Sequence, residues 1–245
     1  FDIDPFVTAA QIMMELIYQI KLQTGHTIRE LNLGGGFGIH YTKQDAPTEY
    51  DNYMRHVSTA VKRKAAEYGL DVPFVYIEPG RSIVGEAGIT LYTVGSVKKI
   101  PGIRTYVSVD GGMCDNIRFA LYGSAYTVVT ANKADKAADC VVTVAGKCCE
   151  SGDLVQKDTK IASAEPGDLL AVLSTGAYNY SMASNYNRIP KPAVVMVRDG
   201  QARVIVKRES YEDLIKNTVF LIFLLLYSPS AENKAYLLRG CVYEL

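Results

Sequence analysis

The hydrophobic pattern of this chain changes its period once along its length, and that change limits the folds open to it. Apolar side chains recur at helical spacing over residues 5–24 and 48–68, and a glycine follows each segment, Gly25 and Gly69. Short apolar runs over residues 28–33 and 74–77 predict buried strands. Because strands that alternate with helices form parallel sheets with crossover helices, the first part of the chain is predicted to be α/β.

Beyond residue 88 the pattern becomes one of short β-strands. Runs rich in strand-forming residues, separated by turn residues, cover residues 89–97, 106–109, 126–130, 140–145, 169–173, 194–197 and 203–207. They predict an antiparallel β-sandwich or barrel. The predicted organisation is a partial (β/α) barrel over residues 1–90, a β domain over residues 91–217 and an atypical tail over residues 218–245. The apolar run at 219–227 is far shorter than the ~20 residues of a membrane span.

The charge balance and the cysteine content narrow the class of protein. Twenty-six lysines and arginines face 26 aspartates and glutamates, so no long-range positive field favours nucleic acid or anionic membranes. The five cysteines form neither an even disulfide framework nor the paired spacing of a zinc site. We therefore expect a cytoplasmic protein with no metal site.

Two motifs follow the two predicted parallel strands. Gly34, Gly35 and Gly36 lack Cβ atoms, so their backbone N–H groups can close on a phosphate, although a tight turn without a ligand is the alternative. The second motif is the sequence Glu78, Pro79, Gly80, Arg81. Its carboxylate can engage a ring nitrogen and its guanidinium can hold a carboxylate, unless Glu78 and Arg81 pair with each other in a salt-bridged turn.

The β-rich part carries three further candidates. Arg118 and Tyr122 are four residues apart, so on a helical turn they would share a face and could bind an anionic group; an exposed arginine packed over a tyrosine is the alternative. Cys149 and Glu150 lie together in a glycine-bounded turn and are candidates for proton donation and for binding a cationic group. Tyr178 ends the aromatic turn Thr-Gly-Ala-Tyr.

In combination these motifs resemble those of the pyridoxal phosphate-dependent decarboxylases of basic amino acids, which have an alanine-racemase-like barrel followed by a β domain. The similarity runs from Phe1 to about Asn217. The triple glycine and the Glu-Pro-Gly-Arg sequence are shared with ornithine and arginine decarboxylases. The Cys-Glu-Ser-Gly-Asp sequence at residues 149–153 resembles the branch that converts meso-diaminopimelate to lysine.

The resemblance implies pyridoxal 5'-phosphate as the cofactor, a small amino acid as the substrate and a homodimer with shared active sites. Glu78 would meet the pyridine nitrogen, Cys149 would donate a proton to the product, and both Cys149 and Glu150 would reach into the partner's pocket. The implied cofactor-binding residues are Gly34, Gly35, Gly36, Glu78, Pro79, Gly80, Arg81 and Tyr178. The implied substrate-binding residues are Arg81, Arg118, Tyr122, Glu150 and Tyr178.

One departure from the family pattern concerns the lysine that bonds the cofactor. The resemblance places that lysine upstream of Phe1, so the full-length parent is expected to be the decarboxylase and this chain alone is expected to be inactive. Two alternatives stay open. One is a sister decarboxylase of ornithine, arginine or carboxynorspermidine, and the other is a non-catalytic dimerising remnant.

Overall fold

The computed structural model describes residues 2–218 and divides the chain into two compact units, Phe1–Pro192 and Ala193–Leu245. The domain boundary predicted near residue 90 falls inside the first unit and stays a prediction. None of the helices in residues 2–218 combines the length and the apolar character needed to cross a membrane.

The first unit begins with two helices and two strands in alternation. Helix α1 (Asp4–Thr24) is followed by strand β1 (Glu30–Asn32), helix α2 (Tyr50–Tyr68) and strand β2 (Phe74–Tyr76). The two strands pair in parallel, with Leu31 opposite Val75. Gly25 and Gly69 end the helices in the left-handed conformation, with φ of 73° and 59°. The predicted helices and strands are confirmed here, with ends shifted by at most about two residues, as helix ends usually are.

A hydrophobic core forms where both helices pack on strand β1. Met14 of α1, Leu31 of β1 and Val61 of α2 are each at most 2% exposed and belong to one cluster. The opposite side of strand β2 is not covered in this way, since Phe74 is 73% exposed. The short helix α3 (Gly80–Val84) follows β2 directly.

The rest of the first unit is a six-stranded sheet. It contains β3 (Thr90–Ile100), β4 (Arg104–Val109), β5 (Val128–Thr130), β6 (Cys140–Ala145), β7 (Leu154–Ile161) and β8 (Leu169–Val172), with the five-residue helix α4 (Arg118–Tyr122) between β4 and β5. The strand order is β5-β8-β3-β4-β6-β7. The fold class, a partial α/β part followed by a sheet domain, is confirmed.

The two edge strands of this sheet approach each other, so that the sheet is nearly closed. The Tyr126 backbone N–H, next to β5, donates to Gln156 Oε1 of β7 over 2.9 Å. The Thr130 hydroxyl donates to the Ala162 carbonyl over 2.7 Å. Closure of this kind removes most of the unpaired sheet edge, and it buries an apolar interior that includes Val94, Val155 and Leu170.

The sheet departs from the sequence prediction at two points. Strand β7 was not predicted, because polar side chains at residues 156–160 hide its alternation and its exposed positions carry lysine and aspartate. Strands β4 and β6 pair in parallel, with Val107 opposite Val144, whereas the prediction was of an antiparallel sandwich or barrel. The sequence between β4 and β6, which contains α4 and β5, is long enough to return the chain to the same end of the sheet.

The described part of the second unit is a hairpin followed by one helical turn. Strands β9 (Val194–Arg198) and β10 (Gln201–Val206) pair antiparallel around Asp199 and Gly200, whose positive φ angles of 50° and 73° suit a tight hairpin turn. Helix α5 (Tyr211–Ile215) begins with a capping box formed by Ser210 and Asp213. The atypical tail predicted beyond residue 218 lies outside the described residues.

Candidate active site

The two loops that follow the parallel strands lie in direct contact. The Glu78 backbone N–H donates to the Gly34 carbonyl over 2.7 Å. A Cβ atom on Gly35 would clash with the Glu78 carbonyl oxygen, so only glycine allows the two chains to approach this closely. The triple glycine and the Glu-Pro-Gly-Arg sequence therefore form one surface at the carboxyl ends of β1 and β2.

The glycine loop holds a conformation that other residues rarely adopt. Gly34 and Gly36 have φ angles of 71° and 97°, which favour glycine. The Gly34 N–H donates to Asn32 Oδ1 over 2.8 Å, and the Asn32 amide donates in turn to Glu78 Oε1 over 2.7 Å. Asn32 thus orients both the glycine loop and the Glu78 carboxylate, a role that the sequence analysis missed.

Arg81 has an unsatisfied donor at this surface. Its Nε atom is buried and has no hydrogen-bond partner within residues 2–218. The salt-bridged turn considered as an alternative is not what the structure shows, because the Glu78 carboxylate bonds to Asn32 instead. An unpaired buried donor is unfavourable by about 1–3 kcal/mol, so an anionic ligand that accepts from Arg81 would gain that free energy.

The Arg118 guanidinium lies inside a group of aromatic rings. Its Cζ atom is 5.4 Å from the ring centroids of both Tyr122 and Tyr178 and 5.8 Å from that of Tyr41. Arg118 and Tyr122 do share a face of α4, as the spacing predicted. Cation–π contacts favour a fixed guanidinium, and Arg118 Nε, like Arg81 Nε, is buried without a partner among the described residues.

Tyr178 reaches Arg118 from a turn that packs against the end of α3. The Gly176 N–H donates to the Gly85 carbonyl and the Thr175 N–H donates to the Gly88 carbonyl, both over 2.9 Å. A Cβ atom on Gly176 would clash with the Val84 carbonyl. We call this backbone contact between residues 84–88 and 175–176 the glycine seam. It fixes Tyr178, whose own φ is 64°, relative to the chain that follows Arg81.

Buried polar groups behind Arg118 were also missed from the sequence. The Tyr126 hydroxyl donates to Asn179 Oδ1 over 3.5 Å, and burial raises the pKa of Tyr126. The ring of Tyr41 packs edge-on against that of Tyr126. The Tyr41 hydroxyl and the Asn179 amide nitrogen are both buried and have no hydrogen-bond partner within residues 2–218. These groups were overlooked because single tyrosines and asparagines in a strand-rich sequence give no motif.

Cys149 and Glu150 are exposed at the tip of the turn between β6 and β7. The Cys149 N–H donates to Asn187 Oδ1 over 2.6 Å, and Glu150 Oε1 accepts from the Gly152 N–H over 3.1 Å. Within residues 2–218, no hydrogen bond, ion pair or ring contact joins Cys149 or Glu150 to the two strand-end loops. In the described part of one copy, the Cys149 and Glu150 side chains are therefore not bonded to the surface formed by Gly35 and Glu78.

Asp153 anchors that turn and is a further residue that the sequence analysis left out. Its two carboxylate oxygens accept from the Met113 N–H and the Cys148 N–H, each over 2.6 Å, and the residue is 4% exposed. Cβ atoms on Gly112 or Gly146 would strike this carboxylate. Asp153 thus links the turn that carries Cys149 to the segment that leads into Arg118. Its place at the end of the Cys-Glu-Ser-Gly-Asp sequence was the available signal.

A second carboxylate lies near Asp153 in the protein interior. Burial raises the pKa of the Asp115 carboxyl, and the charge of Asp153 raises it further. The hydrogen bond that the Tyr92 hydroxyl donates to Asp115 lowers this pKa, but by less than burial raises it. The pKa of Tyr92 is in turn raised well above its usual value by burial and by Asp115. The interior next to Asp153 therefore disfavours additional negative charge.

The family of the chain is shown by comparison with known families. The chain belongs to the pyridoxal-dependent decarboxylases, since the family model described as "Pyridoxal-dependent decarboxylase, C-terminal sheet domain" matches residues 9–176. The family resemblance drawn from the motifs is thereby confirmed.

Named relatives narrow the comparison. The chain is similar to the diaminopimelate decarboxylase of Bacillus subtilis (strain 168), with 53% identity over 216 residues that cover 88% of this chain and 49% of the relative. It is 50% identical to the diaminopimelate decarboxylase of Bacillus methanolicus over 209 residues, 85% of this chain and 48% of that protein. The chain spans about half the length of the curated relatives it matches.

A solved structure shows the same fold. The crystal structure of diaminopimelate decarboxylase from M. jannaschii in complex with L-lysine superposes with a TM-score of 0.81 at 32% identity, covering 89% of this chain and 49% of that one.

The strand-end loops fit the cofactor that the family name implies. A Cβ atom on Gly34 would meet nothing within 4 Å, so there is open space beside the glycine loop. Arg81 offers a buried donor without a partner among the described residues, and Glu78 offers an oriented carboxylate. Anion-binding backbone, cationic donor and carboxylate are the groups that a phosphorylated, protonated pyridine requires.

Proposed function

We propose that the protein carrying this chain decarboxylates meso-2,6-diaminopimelate to L-lysine with pyridoxal 5'-phosphate. The observation that carries the proposal is the 53% identity to a diaminopimelate decarboxylase over 88% of the chain. The geometry supports the proposal, because the two strand-end loops form a surface suited to a phosphorylated pyridine and tyrosine rings surround Arg118.

In this proposal the strand-end loops hold the cofactor. The N–H groups of Gly35 and Gly36 bind the phosphate, and Gly34 and Gly80, which lack Cβ atoms, line the same site. Asn32 holds Glu78 where its carboxylate meets the pyridine nitrogen. A negative partner keeps that nitrogen protonated. When bound, the cofactor supplies an electron sink for the pair of electrons left by the departing carboxylate.

Arg81, Arg118 and Tyr122 bind the substrate carboxylate, and Tyr178 contacts both cofactor and substrate. The aromatic rings around Arg118 restrict its rotamers, so less side-chain entropy is lost when it binds an anion. The unpaired Nε atoms of Arg81 and Arg118 supply charge-assisted hydrogen bonds.

Glu150 binds the ammonium group at the far end of the substrate, and the Cys149 thiol donates a proton to the carbon that loses carbon dioxide. Both side chains are exposed and lack contacts with the strand-end loops of their own chain within residues 2–218. We propose a cytoplasmic homodimer in which they enter the partner's pocket. We also propose that β1 and β2 belong to a (β/α)8 barrel that carries the cofactor.

The test uses the protein that carries this sequence, supplied with pyridoxal 5'-phosphate. Incubation with meso-diaminopimelate is expected to release carbon dioxide and L-lysine in equal amounts. Glu150→Gln removes one charge-assisted hydrogen bond and is expected to lower kcat/KM roughly 10- to 100-fold. The same change at Glu30, which is exposed at the opposite end of β1, is expected to have little effect. Turnover of ornithine or arginine in preference to diaminopimelate, or an unchanged kcat/KM in Glu150→Gln, would contradict the assignment.

Cofactor binding has its own readout that does not depend on turnover. The phosphorus NMR signal of pyridoxal 5'-phosphate is expected to shift and broaden when the protein is added. Arg81→Gln is expected to weaken this binding, and Arg55→Gln, an exposed change on α2, is the matched control. Equal binding by both variants would remove Arg81 from the site.

A further inference from the structure

Two turns of the sheet domain run side by side behind the exposed Cys149. The Lys147 N–H donates to the Gly111 carbonyl over 2.9 Å, so residues 111–114 lie alongside residues 146–148. The Asp153 carboxylate closes the same pair of turns by accepting from Met113 and Cys148. Each of the two turns carries one cysteine that the proposed reaction does not use, Cys114 and Cys148.

These two cysteines are neighbours across the two turns. The Cys114 thiol donates to Asp115 Oδ2 over 3.6 Å, and the nearness of Cys148 adds to the effect of burial in raising the pKa of Cys114. Both are free thiols. Cys114 is 2% exposed, whereas Cys148 is half-buried, so small solutes reach the pair from the Cys148 side. Cys114 and Cys148 are thus held on neighbouring turns whose backbones are fixed by the hydrogen bonds of Lys147, Met113 and Cys148.

We propose that Cys114 and Cys148 form a two-electron redox pair that a hydroperoxide converts to a disulfide. The Cys148 thiol loses its proton and its sulfur attacks the peroxide, the O–O bond breaks, and an alcohol or water leaves with that proton. The sulfur of Cys114 then attacks the Cys148 sulfenic acid, forming the S–S bond and releasing water. Two thiols are oxidised by two electrons and one hydroperoxide is reduced.

Cys149 is a poor partner for Cys148 despite being adjacent in sequence. The Cα atoms of neighbouring residues are about 3.8 Å apart across a trans peptide, below the ~4.4–6.8 Å that disulfides usually span. The backbone of Cys149 is also fixed by the hydrogen bond that its N–H donates to Asn187 Oδ1. Cys114 is therefore the expected partner, and Cys149 keeps its thiol when the pair oxidises.

The surroundings set how readily the pair reacts. Burial raises the pKa of both thiols, with further increases from Asp115 next to Cys114 and from Asp153 next to Cys148. Because the thiolate is the nucleophile, the pair resists mild oxidation and reacts when the hydroperoxide is abundant. The disulfide would add a covalent link between the two turns, one residue before Cys149.

The test uses the full chain, exposed to hydrogen peroxide, alkylated and digested with trypsin without reduction. The expected product joins the peptide of residues 105–118 to that of residues 148–157. Since the second peptide also contains Cys149, the Cys149→Ser variant identifies the sulfur, and it is expected to keep the cross-link. Cys114→Ser and Cys148→Ser are expected to lose it, whereas Cys140→Ser, a change at another partly buried cysteine, is expected to keep it.

Folding is tested in the same experiment. When the oxidation is carried out in urea, the Cys114–Cys148 cross-link is expected to be no more abundant than cross-links between other cysteines. Dithiothreitol is expected to reduce the disulfide and restore both thiols. The proposal is overturned if Cys149→Ser abolishes the cross-link, if Cys114→Ser leaves cross-linking of residues 148–157 unchanged, or if urea does not alter the pairing. None of these outcomes depends on decarboxylase activity, so the proposed function can fail separately.

Discussion

Replacing Asp153 by alanine removes the group that holds the Cys149 turn to the segment leading into Arg118. The carboxylate accepts two backbone N–H bonds of 2.6 Å in an almost fully buried position. Each donor left unsatisfied in the interior is unfavourable by about 1–3 kcal/mol. The cavity left by the side chain adds to this loss. We therefore expect the free energy of unfolding to fall by about 3–5 kcal/mol, a large part of the ~5–15 kcal/mol typical of a folded domain.

Urea unfolding of the full chain measures this loss, followed by tyrosine fluorescence because the chain has no tryptophan. Asp153→Asn keeps the shape and one acceptor, so it is expected to lose roughly half as much. Asp135→Ala is the control, since Asp135 pairs with Lys136 on the surface and such changes are usually within about 0.5 kcal/mol. A loss below about 1 kcal/mol in Asp153→Ala would refute the anchoring role.

Three further predictions concern other parts of the first unit. The Lys133 ammonium lowers the pKa of Asp168 from 3.8 to about 2. The ionised Asp168 carboxylate therefore stabilises the folded state above pH 3.8, and this stabilisation is lost as the pH falls towards about 2. In the Asp168→Asn variant, the melting temperature should depend less on pH in that window. The same dependence on pH as in the wild type would contradict this. Gly176→Ala should destabilise the chain by more than about 2 kcal/mol, because its Cβ meets the Val84 carbonyl; wild-type stability in urea would show that the glycine seam can open. For the proposed reaction, Arg118→Lys should raise KM for diaminopimelate more than it lowers kcat, because a lysine lacks the planar, bidentate guanidinium. An unaltered KM would exclude Arg118 from substrate binding.

Local pattern was enough to predict most of the fold. Helices α1 and α2 were found because their apolar spacing and terminal glycines agree, and strand β6 was found with its bounds unchanged. Strand β7 was missed because its burial alternates irregularly: Val155 and Gln156 are both buried, while Lys157 and Asp158 are both exposed. The parallel pairing of β4 with β6 depends on contacts between distant segments, which periodicity does not encode.

The site could be predicted only where its residues stand in short motifs. The sequence of residues 149–153 drew attention to Cys149 and Glu150, but the role of Asp153 depends on Met113, forty residues away along the chain. Tyr41 likewise joins the Arg118 cage from the loop after β1. Side chains that connect separate segments give no local signal, and in this chain they hold much of the candidate site together.

The glycine seam has a consequence for how such proteins can diversify. A Cβ atom on either side, at Gly88 or at Gly176, would strike the opposing backbone. Neither position can therefore accept a side chain unless its counterpart withdraws. If the sheet portion were exchanged for that of a related protein, the incoming turn would also need a residue without a Cβ atom at this contact. Gly88 and Gly176 therefore limit which sheet portions can be recombined with this α/β part.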